Sequence, residues 1–184
     1  MAIVINGSNN TISGLAVGGL PDGIVDTDMI ANGAASGSKL TMPTGSIIQT
    51  KHLQFTTAVN GTASSTTDVA GFNLAITPSS ASNDILVILH FSGILDCDGR
   101  MGLKRNGTEI VEHLLGTDRS EEYDTGTFCG TYKDSPNSTS AVTYQVTVKV
   151  PGCNSTYHVN SPQQGGGDNG RSGITLMEIA GCVQ

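Results

Sequence analysis

The chain has 184 residues, a formal net charge of −7, and nine Lys and Arg against 16 Asp and Glu. So few cations cannot supply many phosphate contacts, and we therefore expect no nucleic-acid partner. No apolar run approaches the roughly 20 residues needed to cross a bilayer, and the apolar start lacks a preceding positive region, so we expect neither membrane insertion nor a signal peptide.

Residues 1–46 contain no aromatic side chain and only four charged residues: Asp22, Asp26, Asp28 and Lys39. Short apolar runs such as "AIVI" and "ISGLAVGGL" alternate with turn signals such as Asn6-Gly7. One copy of this segment has too little apolar surface to bury, whereas several copies wound around an axis would have more. The composition predicts an extended shaft, with a disordered leader as the alternative.

The composition changes from Ile47 onward. "IIQTKHLQFTT" and "GFNLAIT" are typical of strands, and "DILVILHFSGIL" over residues 84–95 is a continuous apolar run rich in branched residues. Such a run predicts a strand that is covered on both faces and lies in the middle of a core.

A β-hairpin is predicted around Asn106-Gly107, which lies between the strand-like runs "RMGLKR" and "TEIVEHLL". Both central residues of a type I′ turn need a positive φ, and Asn-Gly provides this. The polar stretch that follows, residues 116–130, is predicted to be a loop, with a charged helical turn as the alternative.

The clearest alternation lies in "SAVTYQVTVKV", where apolar side chains are separated by Thr, Gln and Lys. The apolar positions are Val142, Tyr144, Val146, Val148 and Val150. This pattern predicts a strand with one buried face and one face in water. "STYHVN" then predicts a short strand, residues 161–173 predict a long Gly-rich loop, and "ITLMEIAG" predicts a closing strand.

Short strands at intervals of roughly 8 to 15 residues, with no persuasive helix, predict an all-β antiparallel sandwich for residues 47–184, most simply a jelly roll. The closing strand is apolar on both faces, so it should lie beside the first strand of the sandwich and also need cover on its outer side. That second requirement indicates an intersubunit contact. The candidate interface residues are Ile174, Leu176, Met177 and Ile179.

The four cysteines are Cys97, Cys129, Cys153 and Cys182. They include no CxxC pair and therefore indicate neither a zinc ribbon nor a thioredoxin-like motif. Buried thiols and one or two disulfides both remain open, because nothing in the sequence identifies an oxidising compartment.

No catalytic motif is present: a Walker A loop, HExxH and GxSxG are all absent, so we expect no enzyme and no cofactor. "DCDGR" resembles part of a calcium loop but lacks the distal ligands, and a turn is the simpler interpretation. The four histidines show no metal-ligand spacing, and His90 within the apolar run fits a core histidine. We therefore predict no metal site within one chain; symmetry copies of one His around the axis of an oligomer, such as a trimer, are the alternative route to a metal or anion.

Recognition residues are expected in loops, because loops on a rigid sandwich carry binding while strands carry packing. The acidic loop contributes Tyr123, Phe128 and Tyr132, and the Gly-rich loop contributes Asn169 and Arg171. These aromatic, amide and guanidinium groups are suited to sugar recognition. Both loops are equally consistent with solvated spacers.

The leader "ISGLAVGGLPDGIVDTDMIANGA", together with "LKRNGTEI", "TYQVTVKV" and "ITLMEIAG", resembles tail-fibre or virion structural proteins of tailed bacteriophages, especially marine and cyanobacterial ones. The resemblance covers nearly the whole chain. It implies a homotrimer with an intertwined N-terminal shaft that attaches to other virion proteins through residues 1–46. It also implies a C-terminal head similar to the TNF/C1q-type jelly roll.

The function implied is a trimeric virion appendage whose head attaches to a host-surface glycan. The chain is short for a full-length adsorption fibre, which favours a short fibre or spike. A capsid decoration protein without a receptor is the alternative. A glycan depolymerase is a third reading, and the missing acid/base residues argue against it.

Overall fold

The computed structural model of the chain divides into two units, Met1–Thr41 and Met42–Gln184. It describes residues 42–116, 124–152, 155–161 and 170–181, and in the first unit the backbone of two short strands. These strands, β1 (Val4–Asn6) and β2 (Thr11–Ser13), pair antiparallel. The remainder of residues 1–41 lies outside the described residues, so the shaft assigned to residues 1–46 stays a prediction.

The second unit is built from antiparallel β-strands, and the described residues contain no helix. The all-β prediction is confirmed. Within the same residues there is accordingly no helix that could span a membrane. The strands are β3 (Ile47–Phe55), β4 (Val59–Thr62), β5 (Thr67–Ile76), β6 (Asp84–Leu95), β7 (Arg100–Arg105), β8 (Thr108–Gly116), β9 (Asp124–Asp134), β10 (Val142–Lys149), β11 (Thr156–Val159) and β12 (Ser172–Ile179).

Two sheets form a sandwich. One sheet has four strands in the order β5-β10-β7-β8. The other has six strands: β3-β12-β6-β11-β4 form one path, and β9 pairs with β6. β12 pairs with the first half of β6 and β11 with its end, while β9 follows nearly the whole length of β6. β6 is therefore the central strand of the larger sheet, as predicted. The prediction that both of its faces are covered is wrong, because the outward residues Leu86, Ile88 and His90 are only partly buried.

The core lies between the two sheets and follows the alternation of the strands. In β10 the side chains of Val142, Tyr144, Val146 and Val148 are all buried, which confirms the predicted buried face. Phe55 in one sheet stacks on Phe72 in the other, with ring centroids 4.5 Å apart. Full burial of a large apolar side chain contributes about 1.5–3 kcal/mol, so these facing rows supply most of the stabilisation.

The predicted hairpin joins β7 to β8. Asn106 has φ 48° and Gly107 has φ 84°, as a type I′ turn requires. The Asn106 side-chain oxygen also accepts a hydrogen bond of 2.9 Å from the Thr143 N–H. This bond ties the turn to β10 and makes Asn the better residue at its first position.

The loop predicted over residues 116–130 is shorter than expected, because β9 begins at Asp124. From there β9 pairs residue by residue with β6, with Asp124 opposite Leu95 and Asp134 opposite Ile85. This ladder provides hydrogen-bond partners for the backbone N–H and C=O groups of a stretch whose polar side chains indicated a loop. Glycine at two inward positions, Gly126 and Gly130, hid the alternation of this strand in the sequence.

β12 lies between β3 and β6, which confirms its predicted place beside the first strand of the sandwich. Its inward row ends in a charged residue, Glu178, whose side chain is 0% exposed. One Glu178 carboxylate oxygen accepts hydrogen bonds from the N–H and hydroxyl of Ser79 and from the Asn83 amide, at 2.5–2.7 Å. The other accepts one from the Gln49 amide at 2.6 Å.

Burial by itself would raise the pKa of Glu178, but these hydrogen bonds outweigh it, and the pKa lies below its ordinary value of 4.5. The carboxylate is therefore charged inside the protein at neutral pH. Beyond β12, Ala180 accepts a hydrogen bond from the Gly45 N–H and donates one to Ser46. β12 is thus fixed to β3 and to the segment before it.

Cys97 forms a disulfide, which is one of the two alternatives that the sequence left open. Its partner lies outside the described residues. Cys129 is an exposed free thiol in β9.

Candidate functional site

One face of the six-stranded sheet points away from the core. It carries the outward side chains of β3, β12 and β6. We call it the outer face. In β12 it comprises Gly173, Thr175, Met177 and Ile179, which alternate with the inward row. Residues paired across neighbouring strands share a face, so the register assigns the rest of its members.

At one end of the outer face, the polar end, is a surface cavity of about 290 Å³. Its lining residues come from three neighbouring strands and the segment before β12. They are His52, Gln54, Ile88, His90, Arg171, Ser172, Gly173 and Thr175.

The cavity exists because a glycine lies in the middle of the sheet. Gly173 is paired with Gln54 on one side and with His90 on the other, so two side chains flank a position that has none. A methyl group at Gly173 would lie 3.2 Å from Cε1 of His52 and 3.2 Å from the Leu53 carbonyl oxygen. The absence of a Cβ therefore keeps the floor of the cavity open.

The His52 ring is held in place at the edge of this depression. Its Nδ1 lies 2.8 Å from the Thr175 hydroxyl, within hydrogen-bonding distance. Its Nε2 lies 3.8 Å from the position that a Cβ of Gly173 would occupy. One ring nitrogen is therefore engaged by the protein while the other borders the cavity.

The start of β12 is fixed by a buried polar network behind the cavity. The Ser172 hydroxyl donates to the Asn160 side-chain oxygen at 2.8 Å and accepts from the Ser92 N–H at 3.0 Å. The Asn160 amide donates in turn to the Phe55 carbonyl at 2.7 Å. These contacts join β3, β6 and β12 at the start of β12.

The described lining of the cavity is rich in hydrogen-bond donors. Among the described residues, its lining contains one guanidinium, two imidazoles, an amide and two hydroxyls, and no Asp or Glu. The chain as a whole carries a net charge of −7. Local donors of this kind favour a ligand with negative charge or many acceptor oxygens.

At the other end of the outer face, the apolar end, Met177 is paired with Leu86 and Ile179 with Ile47. Met177, Ile179 and Leu86 are only partly buried, and Ile47 is 55% exposed. Met42, just before β3, is 44% exposed. The two ends of one sheet face thus differ in chemistry.

The structure separates the predicted interface residues into two groups. Ile174 and Leu176 are fully buried in the core of one chain and have no exposed surface, so their assignment to an interface is wrong. Met177 and Ile179 lie on the outer face, where a partner can reach them.

Of the predicted binding residues that the structure describes, only Arg171 lines the cavity. The placement of Phe128 and Tyr132 in a loop is wrong, because both lie in β9 and pack against the core. The Phe128 ring stacks near Phe91 with centroids 6.0 Å apart. The candidates Tyr123 and Asn169 lie outside the described residues.

Sequence reasoning missed His52, His90, Gln54 and Thr175. No linear spacing indicates them, because β12 brings β3 and β6 together only in the folded sheet. Gly173 was the one available signal, since an isolated glycine in a strand indicates a place where something approaches the backbone. Among the described residues, no group of three or more His, Cys, Asp and Glu is arranged to hold a metal ion.

No protein-family model matches the chain, and no curated protein shows significant similarity to it.

Proposed function

We propose that the chain is a homotrimeric structural protein of a phage virion, a short tail fibre or spike. In this proposal the segment 1–46 docks onto other virion proteins, and the second unit is a TNF/C1q-like jelly-roll head that attaches to a host-surface glycan. The role is structural and adhesive, without a catalytic step. The proposal that the particle is a phage virion comes from the sequence resemblance. The fold supports the jelly-roll head, and the surface of the head supports self-association.

The pairing of strands supports a jelly roll. Eight strands pair as a long hairpin folded over on itself: β3 with β12, β5 with β10, β6 with β9, and β7 with β8. The first strand of this set thus pairs with the last, and the second with the second-last. Two sheets with nested pairs of this kind characterise the jelly roll.

The apolar end of the outer face is the observation that carries self-association. Met177 and Ile179 lie on a strand in the middle of the sheet, and their neighbours Leu86 and Ile47 are also apolar. The sandwich covers only the inward faces of these strands, so a second copy of the chain is a suitable cover for the outer face. The expectation of three copies in the assembly comes from the sequence resemblance.

Light scattering coupled to size-exclusion chromatography tests the assembly. We expect a mass three times that of the 18.9 kDa chain. Met177→Glu places a charge in the apolar end and should yield monomers. Ala75→Glu makes a comparable change at an exposed position of β5 in the other sheet and should leave the trimer intact. A monomeric wild type, or a trimer that survives Met177→Glu, would contradict the proposal.

Electron microscopy of native particles with the chain labelled tests its location. Threefold density at the tail or its fibres is the expected result. Density at capsid lattice points would identify the chain as a decoration protein and would overturn the proposal of a tail appendage.

A further inference from the structure

We infer that acid dissociates the proposed assembly, because two buried carboxylates, Asp84 and Glu178, hold the apolar end of the outer face in its associating form. This inference rests on the proposed function, since it concerns the regulation of the same self-association surface. One of the two carboxylates borders that surface, and the other lies in the layer directly beneath it.

Asp84 lies at the border of the apolar end. It is paired with Ile179 of β12, and paired residues share a face of the sheet. One carboxylate oxygen accepts a hydrogen bond of 2.5 Å from the Ser135 hydroxyl, and the other lies 3.0 Å from the Lys133 ammonium. Lys133 is in turn paired with Leu86 of the same surface. A buried ion pair thus adjoins the apolar side chains.

A second copy on the apolar end would remove this ion pair from water. The Lys133 side chain is 45% exposed in the single chain and is the part of the pair that a partner copy would cover. While both groups are charged, each compensates the other. Protonation of Asp84 would leave the Lys133 ammonium unpaired beneath the partner copy, and an unpaired buried charge is strongly unfavourable. Acid therefore opposes association at this point.

Glu178 supports the same part of β12 from beneath. Its neighbours in the strand, Met177 and Ile179, belong to the outer face, whereas its own side chain is 0% exposed in the core. None of the ion pairs among the described residues involves Glu178. Its charge is stabilised by neutral donors alone. A protonated carboxyl group carries a donor on one oxygen and cannot accept all of these bonds.

The loss of these bonds reaches the surface through Asn83. The Asn83 amide donates to Glu178, and its side-chain oxygen accepts a hydrogen bond of 3.0 Å from the Gly181 N–H. Asn83 thus connects the carboxylate to the chain two residues beyond Ile179. Protonation of Glu178 should therefore loosen the backbone that positions Ile179 on the outer face.

Both carboxyl groups take up protons only in acid. The Ser135 hydroxyl lowers the pKa of Asp84 from its ordinary 3.8 against the effect of burial, and Lys133 lowers it further. Burial would raise the pKa of Glu178, but its hydrogen bonds hold it below 4.5. Stabilisation by groups with lowered pKa values is complete above the ordinary values and is lost as pH falls through the folded ones. Dissociation is therefore expected below pH 4.5.

The other ionisable side chains packed near these carboxylates are Asp134, Arg105, Tyr144 and Lys51. Asp134 faces the core in the same row as Glu178, with Ile85 between them. It lies 2.8 Å from the Arg105 guanidinium and accepts a hydrogen bond of 2.6 Å from Tyr144. Lys51 is exposed on β3 and takes part in none of the described ion pairs. Asp134 thus has its own cation, whereas Glu178 has none.

The experiment measures the mass of the full-length protein by sedimentation velocity as pH is lowered from 7 to about 3, with far-UV circular dichroism at each step. We expect the assembled mass at pH 7 and folded single chains below pH 4.5, before the strand signal is lost. The concentration at which half of the chains are assembled should rise about tenfold or more. A difference of one pKa unit between free and assembled chains produces a change of that size.

Neutral variants imitate protonation at pH 7. Asp84→Asn and Glu178→Gln should each raise the concentration for half assembly about tenfold or more and reduce its pH dependence. Adding Lys133→Met to Asp84→Asn removes the unpaired ammonium and should recover most of the lost association. Where circular dichroism shows that Glu178→Gln is partly unfolded, Asp84→Asn and this double variant test the inference.

Glu112→Gln is the matched control. Glu112 also accepts a hydrogen bond from a lysine, Lys149 at 2.6 Å, and the bond and charge of Lys149 lower its pKa. It lies in β8 of the other sheet, away from the outer face. This variant should assemble and dissociate as the wild type does.

Three results would overturn the inference and leave the proposed self-association standing. These are an assembly that persists in acid until the strand signal is lost, wild-type association of Asp84→Asn and Glu178→Gln, and an equal loss in Glu112→Gln. A protein that consists of single chains at pH 7 would instead overturn the proposed assembly, and the inference with it.

Discussion

Replacing Glu178 with Gln tests whether one buried carboxylate fixes the C-terminal strand. The substitution keeps the shape of the side chain but removes its charge and turns one acceptor oxygen into an NH₂ group. If this group replaces the oxygen that faces Gln49, two donors oppose each other across 2.6 Å. The bonds from Ser79 and Asn83 then go to a neutral acceptor.

The magnitude follows from these contacts. Losing a hydrogen bond to a charged group costs about 1.5–3 kcal/mol, and charge assistance roughly doubles the strength of the bonds that remain. Ser79 is exposed and Gln49 is partly exposed, so water can replace part of the hydrogen bonding that these two residues lose. Asn83 is buried, so water cannot replace its bond in the same way. We therefore expect Glu178→Gln to reduce the free energy of unfolding by about 2–4 kcal/mol at pH 7.

Urea denaturation followed by circular dichroism measures the effect, with Glu109→Gln at an exposed position of β8 as the control. The control removes the same charge and should unfold at the wild-type urea concentration. If Glu178→Gln also unfolds there, the carboxylate network does not stabilise the strand and the reasoning is refuted.

The pH dependence of the same experiment gives a second readout. The pKa of Glu178 in the folded protein is below its ordinary value of 4.5, so its stabilisation is fully present above that pH. The stabilisation is lost as pH falls below 4.5 through the folded pKa. The difference in stability between wild type and Glu178→Gln should therefore narrow in acid, and a constant difference would contradict this explanation.

Three further changes have expected outcomes. Asn106→Ala removes a residue suited to positive φ and a side-chain hydrogen bond, and should cost about 1–2 kcal/mol in urea denaturation. Tyr144→Phe removes the buried hydroxyl that donates to Asp134 at 2.6 Å, and should cost about 1–3 kcal/mol by the same measurement. Reduction with dithiothreitol should break the Cys97 disulfide and lower stability by about 2–4 kcal/mol, while a maleimide should modify Cys129 without unfolding the protein.

Each of these changes has a matched control. Asn73→Ala alters an exposed strand position and should be nearly neutral. Tyr132→Phe removes a hydroxyl whose contact is long, 3.4 Å, and should cost less than Tyr144→Phe. Cys129→Ser should leave the effect of reduction unchanged. A control that equals or exceeds its test variant would show that the named contact is not responsible.

The sequence alone determined what depends on local order along the chain. The alternation of Val142, Tyr144, Val146 and Val148 was sufficient to identify β10 and its buried face, because side chains in a strand point to opposite sides in turn. Asn106-Gly107 determined a turn because few residues accept a positive φ twice in succession. The all-β class followed from such local patterns, and the structure confirms it.

The tertiary structure alone decided what depends on which strands are neighbours. The polar stretch that became β9 is a strand only because β6 offers it a full ladder of hydrogen bonds. Glu178 is a buried charge only because Ser79, Asn83 and Gln49 converge on it. His52 and His90 flank one cavity only because β12, the last described strand, inserts between β3 and β6. Contacts between distant parts of the chain leave no periodic trace in the sequence, and the candidate site consists almost entirely of such contacts.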